Sequence, residues 1–170
     1  MDVATVIRGR RSIRSYTDKE VEPEKVTAVL EAARLSPSAN NRQEWKFIVV
    51  REAEKRKQLA HAAYNQSFVG QAPIVLVACA TESIAVMSCG QPAYTVDLSI
   101  AFAYMLLQAH ELGLGTCWIG SFREEAVKEL LSIPASVRVV AISPLGYPSY
   151  PVPPRPRKSL SQIVCFETFK

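Results

Sequence analysis

One long apolar segment limits the folds that this 170-residue chain can adopt. Residues from about Tyr94 to Leu112 have helical spacing and are apolar nearly all round the predicted helix, and Gly113 follows as a terminator. A helix on the surface of a globular protein would instead carry a polar face. This helix must therefore be buried on several sides, in a protein core or in an interface between subunits.

The apolar run from Ile74 to Ala80 predicts a central β-strand that is covered on both faces, because it lacks the alternation of a half-exposed strand. The other predicted strands are Trp45 to Val50, Thr116 to Ile119, Val137 to Ile142 and a strand-like piece, Gln162 to Phe169. A first helix is predicted after a cap at Asp2, a second from Pro23 to before Pro37, and a third from Ala53 to Tyr64. A further helix is predicted from Arg123 to Leu131, and Ser121 and Glu124 are expected to form its capping box. Strands and helices do not alternate strictly, so we predict an α+β fold in a single domain, residues 1–170.

A proline-rich stretch follows the last regular strand. Its prolines keep the chain extended and exclude a helix: Pro148, Pro151, Pro153, Pro154 and Pro156. We predict that residues from about 147 to 170 form an arm that is exchanged between the subunits of an obligate homodimer. The alternative is a tail that lies on its own subunit. Pro144 is expected to end or bulge the strand before the arm.

Charge and cysteine usage narrow the class of protein. The net charge is +4, from 20 basic and 16 acidic residues, and outside two terminal arginine clusters the basic residues are interspersed with acidic ones, which disfavours nucleic-acid binding. The apolar helical piece from Leu98 to Leu107 is too short to span a bilayer, and no signal-peptide core is visible. The four cysteines show no metal-ligand spacing and are expected to be reduced thiols, which predicts a cytoplasmic protein.

The two arginine clusters indicate a phosphate site. Arg10, Ser12 and Arg14 alternate, so an extended backbone would point all three side chains the same way. Arg155 and Arg157 stand near the other end of the chain, and a globular fold can bring the clusters together. A planar guanidinium binds two phosphate oxygens at once. The alternative for the first cluster alone is a solvated helix end.

Polar segments between the clusters indicate a heterocycle beside the phosphate. Ser38 to Gln43 is rich in amide side chains, and Trp118 to Ser121 contains a glycine turn. Amide groups and exposed backbone N–H groups suit the polar edge of a flat ring. Phosphate at one end and a heterocycle at the other describe a nucleotide-like cofactor.

Five segments stand out in order along nearly the whole chain: Arg-Arg-Ser-Ile-Arg-Ser-Tyr at 10–16, Ser-Pro-Ser-Ala-Asn-Asn-Arg-Gln-Glu-Trp-Lys-Phe at 36–47, Gly-Leu-Gly-Thr-Cys-Trp-Ile-Gly at 113–120, Gly-Tyr-Pro at 146–148 and Arg-Pro-Arg-Lys-Ser-Leu at 155–160. Together they resemble the nitroreductase family of FMN-dependent oxidoreductases. The resemblance implies a central mixed β-sheet flanked by helices, a homodimer and bound FMN. It further implies reduction of FMN by NADH or NADPH and a ping-pong transfer of electrons to a small planar acceptor, such as a nitroaromatic or a quinone.

The resemblance also assigns roles to residues. Arg10, Arg11 and Ser12, with Arg155 or Arg157, would hold the FMN phosphate, and Arg14 would lie toward the pyrimidine edge, where a cation stabilises charge on reduced flavin. The loop that contacts the flavin from the other subunit would comprise Pro37, Ser38, Ala39 and Asn41. Backbone N–H groups of Ile119 and Gly120 would lie beside flavin N5. No side chain is then needed as a nucleophile or general base, and no metal is implied.

The chain also departs from the family pattern. Glu44 stands where the family loop has a proline, and its charge could disfavour anionic acceptors. Asn40 stands where many relatives have glycine, and asparagine tolerates a left-handed backbone. Asn65 and Gln66 fall where some relatives contact the pyrimidine. The alternatives are a specialised flavin-fragmenting, dehalogenating or azoline-oxidising enzyme, a non-catalytic flavin-binding or storage protein, and a basic interaction module without a cofactor.

Overall fold

The computed structural model describes residues 1–169, which form an α+β fold around a four-stranded sheet. The helices are α1 (Val3–Gly9), α2 (Pro23–Arg34), α3 (Ala53–Ala62), α4 (Ser67–Gln71), α5 (Ala93–Glu111) and α6 (Glu124–Leu131). The strands are β1 (Trp45–Val50), β2 (Ile74–Ala80), β3 (Gly115–Thr116) and β4 (Arg138–Gly146). Single turns of 3₁₀-helix lie at Ala39–Asn41 and Leu160–Gln162.

The sheet has the order β1-β2-β4-β3, and every neighbouring pair of these strands is antiparallel. The expected mixed sheet is therefore wrong for the four strands. The helices α3 and α4 together reverse the chain between β1 and β2, so no βαβ crossover aligns these neighbours. Parallel pairing occurs in the described residues only at an isolated bridge between Ser12 and Thr116.

Strand β2 is the centre of the core, as predicted. All seven of its residues are buried. Because side chains alternate between faces, Leu76 and Ala78 pack with α2 and α5, whereas Val75 and Val77 pack in the cluster that includes residues of α3, α4 and α6. The sheet is thus covered on both faces.

Helix α5 runs over 19 residues, which confirms the predicted buried helix. Phe102 and Met105 are completely buried against the sheet side of the core. The opposite side is not covered within the subunit: Tyr104 is 42% exposed and lines an open apolar groove with Val3 and Ile7 of α1. Within residues 1–169, no helix combines the length and the apolar character that crossing a bilayer requires.

Pro144 lies inside β4 rather than ending or bulging it, so that prediction is wrong. The register pairs Thr116 with Leu145 and bridges Ile119 to Ile142, which places Cys117 opposite Pro144. Proline has no N–H for this pair. The other half of the pair is bridged by the Ser143 hydroxyl, because Oγ accepts the Cys117 N–H at 3.1 Å and donates to the Pro144 carbonyl at 2.8 Å.

Three predicted elements differ locally from the structure. Helix α3 ends at Ala62, because Tyr64 and Asn65 have positive φ angles of 54° and 62°. Helix α6 has no capping box: the Glu124 carboxylate instead accepts hydrogen bonds from Arg138 Nε and the Val139 N–H. The predicted strand from Thr116 to Ile119 is limited to β3 and an isolated bridge at Ile119.

The C-terminal segment is hydrogen-bonded to residues 15–17 at its start and is exposed beyond residue 152. Thr17 N–H donates to the Tyr147 carbonyl at 2.9 Å, and Ser149 N–H donates to the Ser15 carbonyl at 3.1 Å. From residue 153 to residue 169 every residue is exposed. The predicted strand from 162 to 169 is absent, because no strand of the same subunit lies beside it; a capping box of Ser159 and Gln162 closes a 3₁₀ turn instead.

Candidate functional site

The two arginine clusters meet in one cavity. It has a volume of about 470 Å³ and lies between the end of α1 and the C-terminal segment. Its lining comprises Ile7, Arg8, Arg10, Arg11, Ser12, Arg14, Val152, Pro153, Pro154, Arg155 and Arg157. Among the described residues that line it, six are arginines and none is acidic, so the cavity carries a strong positive potential that suits an anion.

The wall formed by residues 10–14 is fixed by the edge of the sheet. Ser12 forms a parallel bridge with Thr116, whose carbonyl accepts the Ile13 N–H at 2.8 Å. Gly115 permits this approach, because a Cβ atom there would lie 2.7 Å from Ile13 Cγ1. The residues before and after this bridge are therefore held in place at the mouth of the cavity.

Arg11 is used differently from its neighbours. Its Nη1 donates to the carbonyls of Arg8, Gly9 and Arg10 at 2.6, 2.9 and 3.0 Å. These contacts satisfy carbonyls at the C-terminal end of α1, which have no partner within the helix. Its Nε is buried and has no hydrogen-bond partner. Arg11 thus braces the end of α1 and retains an unused donor.

Arg14 lines the cavity and also contacts a residue of α4. Its guanidinium carbon lies 5.9 Å from the centre of the Phe68 ring. Beneath this wall lies Cys117, a buried thiol. Burial raises the pKa of the Cys117 thiol, and Arg14, Ser12 and Arg10 partly offset that increase. At neutral pH this thiol is protonated and inert.

The loop after α2 is anchored to α5. Ala39 N–H donates to Asp97 Oδ1 at 3.0 Å, and Gln43 N–H donates to Ser38 Oγ at 3.1 Å. Of the expected loop residues, Pro37, Ser38, Ala39 and Asn41, none lines the arginine cavity of its own subunit. Asn40 has a φ angle of 52°, so it adopts the predicted left-handed backbone.

The charge of Glu44 is balanced within the same loop. Its Oε2 lies 3.4 Å from Arg42 Nε. A distant ligand experiences the carboxylate and the guanidinium as a nearly neutral pair. The expected unfavourable effect of Glu44 on anionic acceptors is therefore weakened.

The segment around Gly120 lies beside the loop after α3. Ile119 is buried, and its N–H donates to the Ile142 carbonyl at 3.0 Å, so it is not available to a ligand. The Gly120 backbone is exposed. Gln66 Nε2 donates to the Ser121 carbonyl at 3.3 Å. Of the two expected backbone donors, only Gly120 is therefore in a position to serve.

Backbone strain is concentrated in the two polar loops. Five of the seven non-glycine residues with positive φ in the described chain lie there: Asn40, Asn41, Gln43, Tyr64 and Asn65. Such conformations cost about 1–3 kcal/mol each and cluster at functional sites. The strain supports the view that these loops belong to the site.

Two residues at the site were not predicted from the sequence. Arg8 lines the cavity from the last turn of α1, and its spacing from Arg10 and Arg11 could have indicated it. Asp97 is 9% exposed and holds the loop at Ala39. An acidic residue in an otherwise apolar helix was the available signal.

The fold and the cavity together define a class: a sheet-centred α+β protein with an arginine-lined anion site at its N- and C-terminal segments. Comparison with known proteins then identifies the family. The model of the Nitroreductase family matches residues 7–82 and 58–147. The chain belongs to the nitroreductase family.

Individual relatives agree with this assignment. A Methanothermobacter thermautotrophicus protein, provisionally named NADH dehydrogenase/NAD(P)H nitroreductase, is 39% identical over 154 residues, which are 88% of this chain and 78% of that protein. The NAD(P)H-dependent FMN reductase of Bacillus subtilis is 29% identical over 99% of this chain and 74% of its own length. The crystal structure of a Clostridium difficile nitroreductase family protein superposes with a TM-score of 0.88 at 33% identity, over 99% of this chain and 100% of that one.

Proposed function

We propose that the chain is an FMN-dependent NAD(P)H oxidoreductase that passes electrons to a small planar acceptor, such as a nitroaromatic or a quinone. The observation that carries this proposal is the single cavity in which Arg10, Ser12, Arg155 and Arg157 converge without an acidic residue among the described lining. Family membership and the FMN reductase relative support the same cofactor and donor.

The residues present fit a flavin phosphate. A phosphate monoester carries a charge of about −1.5 to −2 at neutral pH, which two or more arginines neutralise. Arg11 Nε is buried without a partner and offers a further donor. We assign the phosphate to Arg10, Ser12, Arg155 and Arg157, with Arg11 holding the end of α1 behind them.

The remaining assigned residues act on the ring system. When bound, FMN accepts a hydride from NAD(P)H and later returns the electrons to the acceptor. Arg14 would place its positive charge at the pyrimidine edge and favour the reduced state. Gly120 would donate its backbone N–H beside flavin N5. None of these roles requires proton abstraction by a side chain.

The site would be completed in a homodimer. The groove beside Tyr104, Val3 and Ile7 leaves apolar surface uncovered, and so does the C-terminal segment, where Leu160 and Phe166 are 75% and 83% exposed. Patches of this kind mark interfaces. A second copy of the chain would cover them and would bring the loop of residues 37–41 to the partner's cofactor. Strand β1 has a free edge, at which an exchanged arm could add a strand.

A cytoplasmic location is proposed on the cysteines. Cys79 and Cys117 are buried thiols that form no disulfide. Burial raises the pKa of the Cys79 thiol to about 11, which keeps it protonated. Thiols of this kind are typical of a reducing compartment.

The proposal is tested by an anaerobic visible spectrum of the purified protein before and after addition of NADH, and separately of NADPH. We expect flavin bands that bleach with at least one donor and return when a quinone is added. Flavin bands that persist with both donors would identify a flavin-binding protein without this activity. A colourless protein that FMN cannot reconstitute would overturn the phosphate assignment as well.

A further inference from the structure

We propose that Tyr64 and Arg123 form the acceptor-recognition element, and that the acceptor is a planar aromatic compound with an anionic substituent. This inference rests on the proposed function, because it places the element beside the assigned hydride-transfer segment at Gly120. It names a substrate class and two residues that neither the family assignment nor the motifs supply.

The loop that carries Tyr64 is fastened to the segment that follows Gly120. Arg123 N–H donates to the Ala62 carbonyl at 2.9 Å, and Arg123 Nη2 donates to the His61 carbonyl at 3.1 Å. Gln66 Nε2 adds the bond to the Ser121 carbonyl at 3.3 Å. These three bonds make the loop and the segment one rigid unit.

The backbone of this loop is strained in a way that its packing maintains. A positive φ angle is rare for a bulky aromatic residue, yet Tyr64 has φ 54° and Asn65 has φ 62°. The Asn65 Oδ1 lies 2.8 Å from His61 Nδ1, and Gln66 Nε2 donates to the Ala63 carbonyl at 3.0 Å. Tyr64 lies at the surface, where the residue is 59% exposed. Strain of this kind is a mark of a functional loop.

Arg123 supplies an uncommitted positive charge next to the ring. Its guanidinium carbon lies 5.8 Å from the centre of the Tyr64 ring. None of the ion pairs within residues 1–169 involves Arg123. A guanidinium without a carboxylate partner is free to form charge-assisted hydrogen bonds with an anionic ligand.

A groove receives the substituent. It lies between α3 and α6, has a volume of about 340 Å³, and is lined by Gln58, His61, Ala62, Arg123, Ala126, Glu129 and Leu130. Glu129 is the acidic residue of this lining, and it lies six residues after Arg123, a rise of about 9 Å along an α-helix. Arg123 is the lining residue that contacts the Tyr64 ring, so it is the charged group on the Tyr64 side of the groove. An aromatic ring would stack on Tyr64 while its carboxylate or sulfonate pairs with Arg123.

The experiment compares 4-nitrobenzoate with 4-nitrobenzamide, which has the same shape without the charge. We expect the intact protein to have a higher kcat/KM for the benzoate. Arg123→Gln should lower the benzoate-to-benzamide ratio about tenfold or more, the value of one charge-assisted hydrogen bond. Tyr64→Ala should lower kcat/KM for both compounds by a similar factor, about fivefold to tenfold, whereas Tyr64→Phe keeps the ring and should change little.

The matched control is Lys57→Gln, which removes one exposed positive charge from α3, the helix that precedes Tyr64, and should leave the ratio unchanged. The rate at which NAD(P)H bleaches the flavin should be the same in Lys57→Gln as in the intact protein. A normal bleaching rate with an unchanged ratio in Arg123→Gln would overturn the inference and leave the proposed function standing.

Direct binding gives a second readout that does not depend on turnover. Titration of the oxidised protein with each compound, followed by amide NMR shifts at Gly120 and Ser121, should show about tenfold tighter binding of the benzoate, lost in Arg123→Gln. Equal affinities in the intact protein would contradict the inference even if the protein proves to have no oxidoreductase activity.

Discussion

The Tyr147 hydroxyl donates a hydrogen bond to the Glu22 carboxylate over 2.6 Å and so joins the start of α2 to the residue that follows β4. The same oxygen accepts a bond from Lys25 Nζ at 2.6 Å, and the Lys19 ammonium lies 4.1 Å from the centre of the ring. Because Tyr147 opens the C-terminal segment that carries Arg155 and Arg157, this cluster fixes the start of that segment against α2.

This cluster predicts an unusual titration of Glu22. The hydrogen bond from Tyr147 is the main cause that lowers the Glu22 pKa from 4.5 to about 2. A carboxyl with a lowered folded-state pKa contributes stability above its unfolded pKa, and that contribution is lost as pH falls from about 4.5 to about 2. Tyr147→Phe should raise the Glu22 pKa in an NMR titration and flatten the loss of stability in this window. Tyr150→Phe, an exposed tyrosine of the same segment, should not; an unchanged Glu22 pKa in Tyr147→Phe would contradict the assignment.

Removal of two cavity arginines should release the cofactor. The double variant Arg10→Gln/Arg157→Gln should fold normally and bind FMN about a hundredfold or more weakly, since each charge-assisted hydrogen bond is worth about 1.5–3 kcal/mol. Flavin fluorescence during reconstitution measures the dissociation constant. The control is Arg34→Gln, an exposed arginine paired with Glu31 on α2. Unchanged FMN affinity in the folded double variant would disprove the phosphate site.

Truncation after Pro154 should convert the proposed dimer to a monomer, because it removes the apolar residues that a partner would cover. Light scattering measures the mass. The full-length variant Arg155→Gln/Arg157→Gln is the control: it should weaken FMN binding and remain a dimer. A stable, flavin-containing monomer of the truncated chain would refute arm exchange.

The Asp97 carboxylate should stabilise the loop at Ala39. Asp97→Ala leaves the Ala39 N–H without its acceptor and should lower the free energy of unfolding by about 1–3 kcal/mol. Asp97→Asn keeps an oxygen at the same position and should lower it less. Urea unfolding measures both changes. Equal losses in the two variants would show that the negative charge, rather than the hydrogen bond, matters.

Gly9 and His110 should be energetically coupled. A Cβ atom at Gly9 would lie 2.4 Å from His110 Nε2, so Gly9→Ala must displace the half-buried imidazole and should lower the free energy of unfolding by about 0.5–1.5 kcal/mol, the cost of an off-rotamer side chain. His110→Ala should relieve this cost, giving a coupling energy of about 1 kcal/mol in a double-mutant cycle. Additive effects of the two substitutions would exclude the contact.

Local patterns predicted the parts of the fold that depend on burial. The apolar run of β2 and the apolar character of α5 are consequences of their central position, and both were recognised from the sequence. The errors arose where a side chain forms a distant contact. Glu124 bonds to β4 instead of capping its own helix, and its partner Arg138 is fourteen residues away.

In the candidate site, too, local side-chain chemistry could be predicted and contacts between distant segments could not. The arginines could be predicted because their side-chain chemistry is specific to anions, and the structure brings residues from both ends of the chain into one cavity. The occupation of the Ile119 N–H by Ile142 could not be predicted, because it depends on the register between distant segments. Asp97 was missed for a similar reason: its partner, Ala39, lies 58 residues away.

The bridging hydroxyl of Ser143 also constrains how this sequence can drift. The hydroxyl joins the Cys117 N–H to the Pro144 carbonyl, so its loss would leave both groups without this partner. Replacement of Pro144 would add an N–H, which is a donor and cannot substitute for the acceptor that the Cys117 N–H needs. A hydroxyl at position 143 is therefore expected to be retained whichever residue stands at position 144.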